Sequence, residues 1–196
     1  MAVRVKTREW LRVRISSGFW ILLAFLFWLD KGIGILLPAL AAAVLHELGH
    51  LTMISLVGGG VKEISLTAVG AEIQLDEAVP LSYWKDALAA LAGPLASLLC
   101  AWAALGVNAY LLAAMCVGQG IFNLMPIELL DGGRILYALI AGMADDRWAQ
   151  RVLSVTSALV VGALLGVGLI LLRQYGNPTL AITAGWLLLG IFRRKE

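Results

Sequence analysis

The stretch Ala43-Val44-Leu45-His46-Glu47-Leu48-Gly49-His50-Leu51 holds both histidines of this 196-residue chain, four residues apart with a glutamate between them, in an otherwise apolar run. On a helix, positions i and i+4 lie one turn apart on one face, so both imidazoles can grip a single zinc ion. Glu47, a residue further round, then reaches toward a metal-bound water. Two histidines placed at random fall four apart in about one case in a hundred, and a glutamate in that slot lowers the odds to roughly one in a few thousand. The pattern H-E-x-x-H therefore predicts a helical metal site with His46 and His50 as ligands.

Composition sets the solvent around that helix. Sixty-one per cent of residues are hydrophobic and 14 per cent charged, with a mean hydropathy of +0.89. Soluble domains carry about a quarter charged residues, so the composition argues against a soluble zinc protease and indicates a membrane protein. The length suits five or six spans joined by short loops, which predicts one membrane-embedded domain over residues 1–196. Cys100 and Cys116 sit in apolar runs and read as small core residues rather than as a disulfide framework or a Cys-based zinc site. The basic N-terminus followed by an apolar run mimics a signal peptide, with Ala39-Leu40-Ala41 as a cleavage site. Cutting there would leave a new end within the helix of His46, so residues 1–40 are expected to stay in the mature protein.

The fold class expected is an all-α polytopic membrane protein of about six transmembrane helices with a small cytosolic β-hairpin. Apolar runs predict spans over 17–29, 33–57, 83–107, 109–125, 152–172 and 179–192. Pro126 to Asp131 interrupts the fourth, after which a shorter helix resumes over 132–143. Gly58-Gly59-Gly60 ends the second helix, and from 61 to 76 the period changes: Ile64, Leu66 and Ala68 alternate with Ser65 and Thr67, and Ala71, Ile73 and Leu75 with Glu72, Gln74 and Asp76. That is a hairpin turning near Val69-Gly70. In the N-terminal segment, Val3, Val5, Val13 and Ile15 alternate with basic residues and permit a further strand. Tryptophans 10, 20, 28, 84, 148 and 186 lie mostly near predicted span ends, as interfacial anchors do.

Six spans put both termini on one side, which then receives thirteen of the fifteen lysines and arginines; only Lys31 and Arg173 fall opposite. Basic residues are retained in the cytosol, so the expected location is a multi-pass cell-membrane protein with termini, hairpin and the 131–151 segment cytosolic. His50 then lies seven residues from the helix end at Val57, about 10 Å below the inner surface.

Catalytic zinc usually has three protein ligands and one open position. No third histidine exists, and the best carboxylate is Asp131 in Ile121-Phe122-Asn123-Leu124-Met125-Pro126-Ile127-Glu128-Leu129-Leu130-Asp131-Gly132-Gly133-Arg134. Pro126 removes a backbone donor, and irregular backbone at membrane depth is tolerated only inside protein or beside a wet cavity. Gly132 and Gly133 permit close approach. On the residues alone, Asp131 as a loop residue capping the next helix is an even alternative, and Glu128 reads either as an extra ligand or as solvent-exposed.

With these motifs the chain resembles the site-2 family of intramembrane metalloproteases, which joins H-E-x-x-H on one membrane helix to N-x-x-P-x-x-x-x-D-G on a later one. Asn123, Pro126, Asp131 and Gly132 match the second motif at its spacing, and Ala92-Gly93-Pro94 lies between the two. The resemblance covers roughly residues 10–192, and the layout looks closest to the bacterial stage IV sporulation branch. It implies one zinc ion held by His46, His50 and Asp131, with Glu47 as general base and Asn123 positioning the scissile backbone or stabilising the oxyanion. Zinc would lower the pKa of its bound water toward about 7. The implied activity is hydrolysis of a peptide bond in or beside the span of a membrane-tethered protein.

The partners expected are that tethered substrate, an inhibitory membrane protein and the lipid bilayer, with no nucleic acid. Asn123 as a helix-bridging hydrogen bonder is a rival to its catalytic role, and Gly93 and Pro94 read as packing residues. For the whole chain, the rival functions are a divalent-metal transporter and an inactive membrane scaffold.

Overall fold

The computed structural model of the protein describes residues 12–68 and 70–193. Strand β1 (Arg12–Ile15) leads into α1 (Ser17–Asp30) and α2 (Leu36–Leu56), followed by β2 (Val61–Thr67) and β3 (Gly70–Leu75). Five helices complete it: α3 (Tyr83–Gly106), α4 (Tyr110–Asn123), α5 (Asp131–Met143), α6 (Asp146–Tyr175) and α7 (Thr179–Arg193). The chain is thus mostly helical with one small sheet. By length and composition α2, α3 and α6 suffice to cross a membrane, while α1, α4 and α7 are shorter apolar helices.

The molecule is apolar outside and small-residue inside. Leu37, Trp102 and Phe27 are each about three-quarters exposed, and α1 buries none of its side chains, as expected of surfaces facing lipid. The interior belongs to α3, where Ala87, Ala89, Ala90, Gly93, Ser97 and Ala101 are buried. Lipid gives no hydrophobic drive for helix association, so close backbone approach through small residues supplies the contact. Gly49 of α2 shows how close: a β-carbon there would lie 2.6 Å from both the Ala92 carbonyl oxygen and the Ala96 β-carbon.

On α2 the buried residues are Ala42, His46, His50 and Ile54, a stripe with a spacing of four that faces α3. Both ends of this helix are held by other segments. The Asp30 carboxylate accepts from the backbone N–H groups of Gly34, Ile35 and Leu36. At the far end Lys85 of α3 donates to the Val57 carbonyl at 2.8 Å.

The sheet runs in the order β1-β2-β3, with β2 and β3 antiparallel and β1 parallel to β2 in the register Arg12 to Glu63 through Ile15 to Leu66. The hairpin forms where the change of period predicts it, and the N-terminal strand extends it. Val69 at its turn, and Val3 and Val5, lie outside the described residues. One helix starts earlier than hydropathy predicts: α6 begins at Asp146, not near 152, because Asp145 caps it by accepting from the Trp148 N–H at 2.7 Å. Its first turns are polar, so an apolar run could not mark them.

Candidate metal centre

Helix α2 sets His46 and His50 one turn apart, with ring centroids 4.8 Å apart and planes at 81°. Each ring is held by α3 through Nδ1. His50 Nδ1 lies 2.8 Å from the carbonyl oxygen of Ala89, and a carbonyl only accepts, so this nitrogen carries a proton; in the neutral ring the lone pair is then on Nε2. His46 Nδ1 lies 2.9 Å from Ser97 Oγ. Both Nε2 atoms therefore turn inward, 3.2 Å from each other.

Asp131 comes from α5, as its first residue, with Leu130 at the cap position. Its Oδ2 lies 2.9 Å from His46 Nε2 and 3.2 Å from His50 Nε2. The approach depends on Gly132 and Gly133, where a β-carbon would fall 2.1 Å from the Leu124 carbonyl oxygen and 2.0 Å from that of Ile127. The broken segment before α5 is anchored in turn: Ile127 is fully buried with Val161 and Leu187, and the Glu128 N–H donates to Ser157 Oγ at 2.9 Å. Two contacts fasten α5 to its neighbours. Arg134 grips the Asp86 carboxylate through Nε, at 3.1 and 3.2 Å, and through Nη2. Tyr137 and Tyr83 both donate to Asp146 Oδ1, at 2.8 and 2.7 Å.

Three ligand atoms thus form a triangle with edges of 2.9 to 3.2 Å, and these residues are the group among the described residues able to hold a metal. Zinc–ligand bonds of about 2.0–2.1 Å in tetrahedral geometry require ligand–ligand edges of about 3.3 Å. The triangle needs only a few tenths of an ångström of opening, and two imidazoles with one carboxylate form a donor set suited to that ion. The histidines are 3 and 5 per cent exposed, and the Asp131 carboxylate beside them is mostly buried, a charge whose desolvation cost a coordinated cation offsets.

Other predicted residues are placed as follows. Glu47 is half-buried on α2, within electrostatic reach of both imidazoles and of the Asp131 carboxylate. Asn123 is the last residue of α4, and its side-chain amide donates back to the Gln119 carbonyl at 3.1 Å, a bond within its own helix rather than a bridge to another. Glu128 stands outside the ligand group and is half-buried rather than solvent-exposed. Sequence reading missed the partners of the rings. Ser97 carried a faint signal as a lone hydroxyl in an apolar helix; Ala89 carried none, because its contribution is a backbone carbonyl.

No protein-family model matches the chain. It is 28% identical over 170 residues to stage IV sporulation protein FB of Bacillus subtilis (strain 168), a match covering 80% of this chain and 57% of that protein. The chain thus spans little more than half the length of that relative. Its fold is similar to that of the site-2 protease from Methanocaldococcus jannaschii, with a TM-score of 0.69 and 22% identity over 94% of this chain and 90% of that one. By sequence the chain is thus similar to a stage IV sporulation protein, and by fold to a site-2 protease.

Proposed function

We propose that the chain is a zinc-dependent endopeptidase that hydrolyses a peptide bond in or beside the membrane segment of a tethered protein. The observation that carries this reading is the convergence of His46 Nε2, His50 Nε2 and Asp131 Oδ2 beside Glu47 in a buried site. His46, His50 and Asp131 would hold the ion, which supplies Lewis-acid activation of water and of the scissile carbonyl. Glu47 takes the proton of the attacking water and returns it to the leaving amine, so the bond is cut without a covalent intermediate. Ala89 and Ser97 hold the imidazoles while the charge changes. Asn123, at the broken end of α4, positions the scissile backbone.

A substrate helix satisfies its own backbone, so it must unwind before a carbonyl reaches the site. The sheet offers edges at β1 and β3, and pairing an extended peptide to such an edge replaces the hydrogen bonds lost on unwinding. In this reading six helices, α1 to α4 with α6 and α7, cross the bilayer. The termini and the mouth of the site face the cytosol, as the distribution of basic residues favours. An inhibitory membrane protein is the expected regulator.

The test is co-expression with membrane-anchored precursor proteins. Cleavage by the parent chain is expected, with loss of at least about a hundredfold in Glu47→Gln while zinc stays bound. Full activity in Glu47→Gln removes the general-base role. Zinc flux into liposomes without any proteolysis would overturn the reading in favour of a transporter.

A further inference from the structure

We infer that Ser97 is a positioning residue of the metal centre: its hydroxyl holds the His46 ring by Nδ1 and so keeps Nε2 aimed at the ion. The inference rests on the proposal that this site binds zinc. Ser97 is the only hydroxyl-bearing residue between Ala87 and Gly106 and is completely buried, on a helix face otherwise lined by alanine, glycine and Pro94. A buried hydroxyl without a partner is unfavourable, and this one has His46 Nδ1 at 2.9 Å. Once Nε2 gives its lone pair to a cation, the ring proton resides on Nδ1, and Ser97 is the acceptor that receives it.

The geometry of α2 and α3 sets which group meets each ring. His50 meets Ala89 and Gly93, whereas His46 meets Ser97, so the two helices run in opposite directions past the site. At Ala89 a backbone carbonyl reaches the His50 ring directly. His46 lies one turn away on α2, and on α3 its partner is a side-chain oxygen, two turns beyond Ala89. The two contacts together fix both rings from one helix that provides no ligand. Partners of this kind commonly contribute about ten- to a hundredfold to metal affinity.

The experiment uses the full chain in detergent, with zinc affinity measured by chelator competition in the parent, Ser97→Ala and Ser97→Thr. Ser97→Ala is expected to bind zinc about 10- to 100-fold more weakly with little change in thermal midpoint, and Ser97→Thr to recover most of that loss. Histidine ¹⁵N-labelled, zinc-loaded parent protein should show a slowly exchanging His46 Nδ1 proton, which Ser97→Ala loses. Parent-like affinity in Ser97→Ala overturns the inference and leaves the protease reading intact. So does a His46 Nδ1 proton in the parent that exchanges freely with water, a result that needs no variant to fold. A parent chain that binds no zinc sinks the metal centre itself.

Discussion

A β-carbon on Gly93 of α3 would stand 2.2 Å from Nε2 of His50 and 2.4 Å from its Cε1. The absent side chain is therefore the space that the ligand ring occupies. In an ordinary helix alanine is favoured over glycine by about 1 kcal/mol. Here Gly93→Ala is expected to displace His50 and lower cleavage on the order of a hundredfold, the usual effect of misplacing a reacting group by about 1 Å. Zinc content and fragment yield, measured beside a circular dichroism spectrum, check this; parent-like values in a folded variant would refute it.

Gly132 sits under a different constraint, since the atoms crowding it are backbone: the Leu124 and Met125 carbonyl oxygens would lie 2.1 and 2.5 Å from a β-carbon. Backbone cannot rotate away as a side chain does, so Gly132→Ala must shift α5 and Asp131 with it. A loss of at least about 2 kcal/mol in stability is expected, together with loss of zinc. Thermal unfolding in detergent and metal analysis read the two effects separately.

The Asp86–Arg134 pair fastens α5 to the first turn of α3, one turn beyond Asp131. It is partly exposed, which reduces its value below that of a fully buried pair. Arg134→Ala or Asp86→Ala is expected to cost about 1–2 kcal/mol. The double variant should cost less than the two single losses combined, since the second change removes a partner already lost. Additive losses in such a cycle would show that the pair is not coupled.

Removing the metal offers an independent test. Chelation is expected to abolish proteolysis, and added zinc to restore it, whereas magnesium should not, because imidazole ligands suit zinc and magnesium prefers an all-oxygen octahedral shell. Activity that survives complete removal, verified by metal analysis, would contradict the proposed chemistry.

The hairpin was readable because a period of two replaces helical periodicity between Val61 and Leu75, and the α2 site because two histidines four residues apart have one geometric meaning on a helix. The start of α6 was not, since a capping aspartate followed by charged residues interrupts hydropathy without interrupting helix geometry. Glu128 shows the same limit in a loop: its local sequence suggests exposure, but the packing of Ile127 draws the segment inward.

By itself the sequence determined a membrane setting, the ligand pair on α2 and Asp131 as the foremost third donor, because each depends on composition or short spacing. Tertiary structure decided that Asp131, 85 residues from His46, reaches 2.9 Å from its Nε2. It also decided that α3, which gives no ligand, orients both rings through Ala89 and Ser97. The reason is physical: spacing along one helix is local geometry, whereas a carbonyl or a lone serine gains its role only when another helix packs close enough to use it.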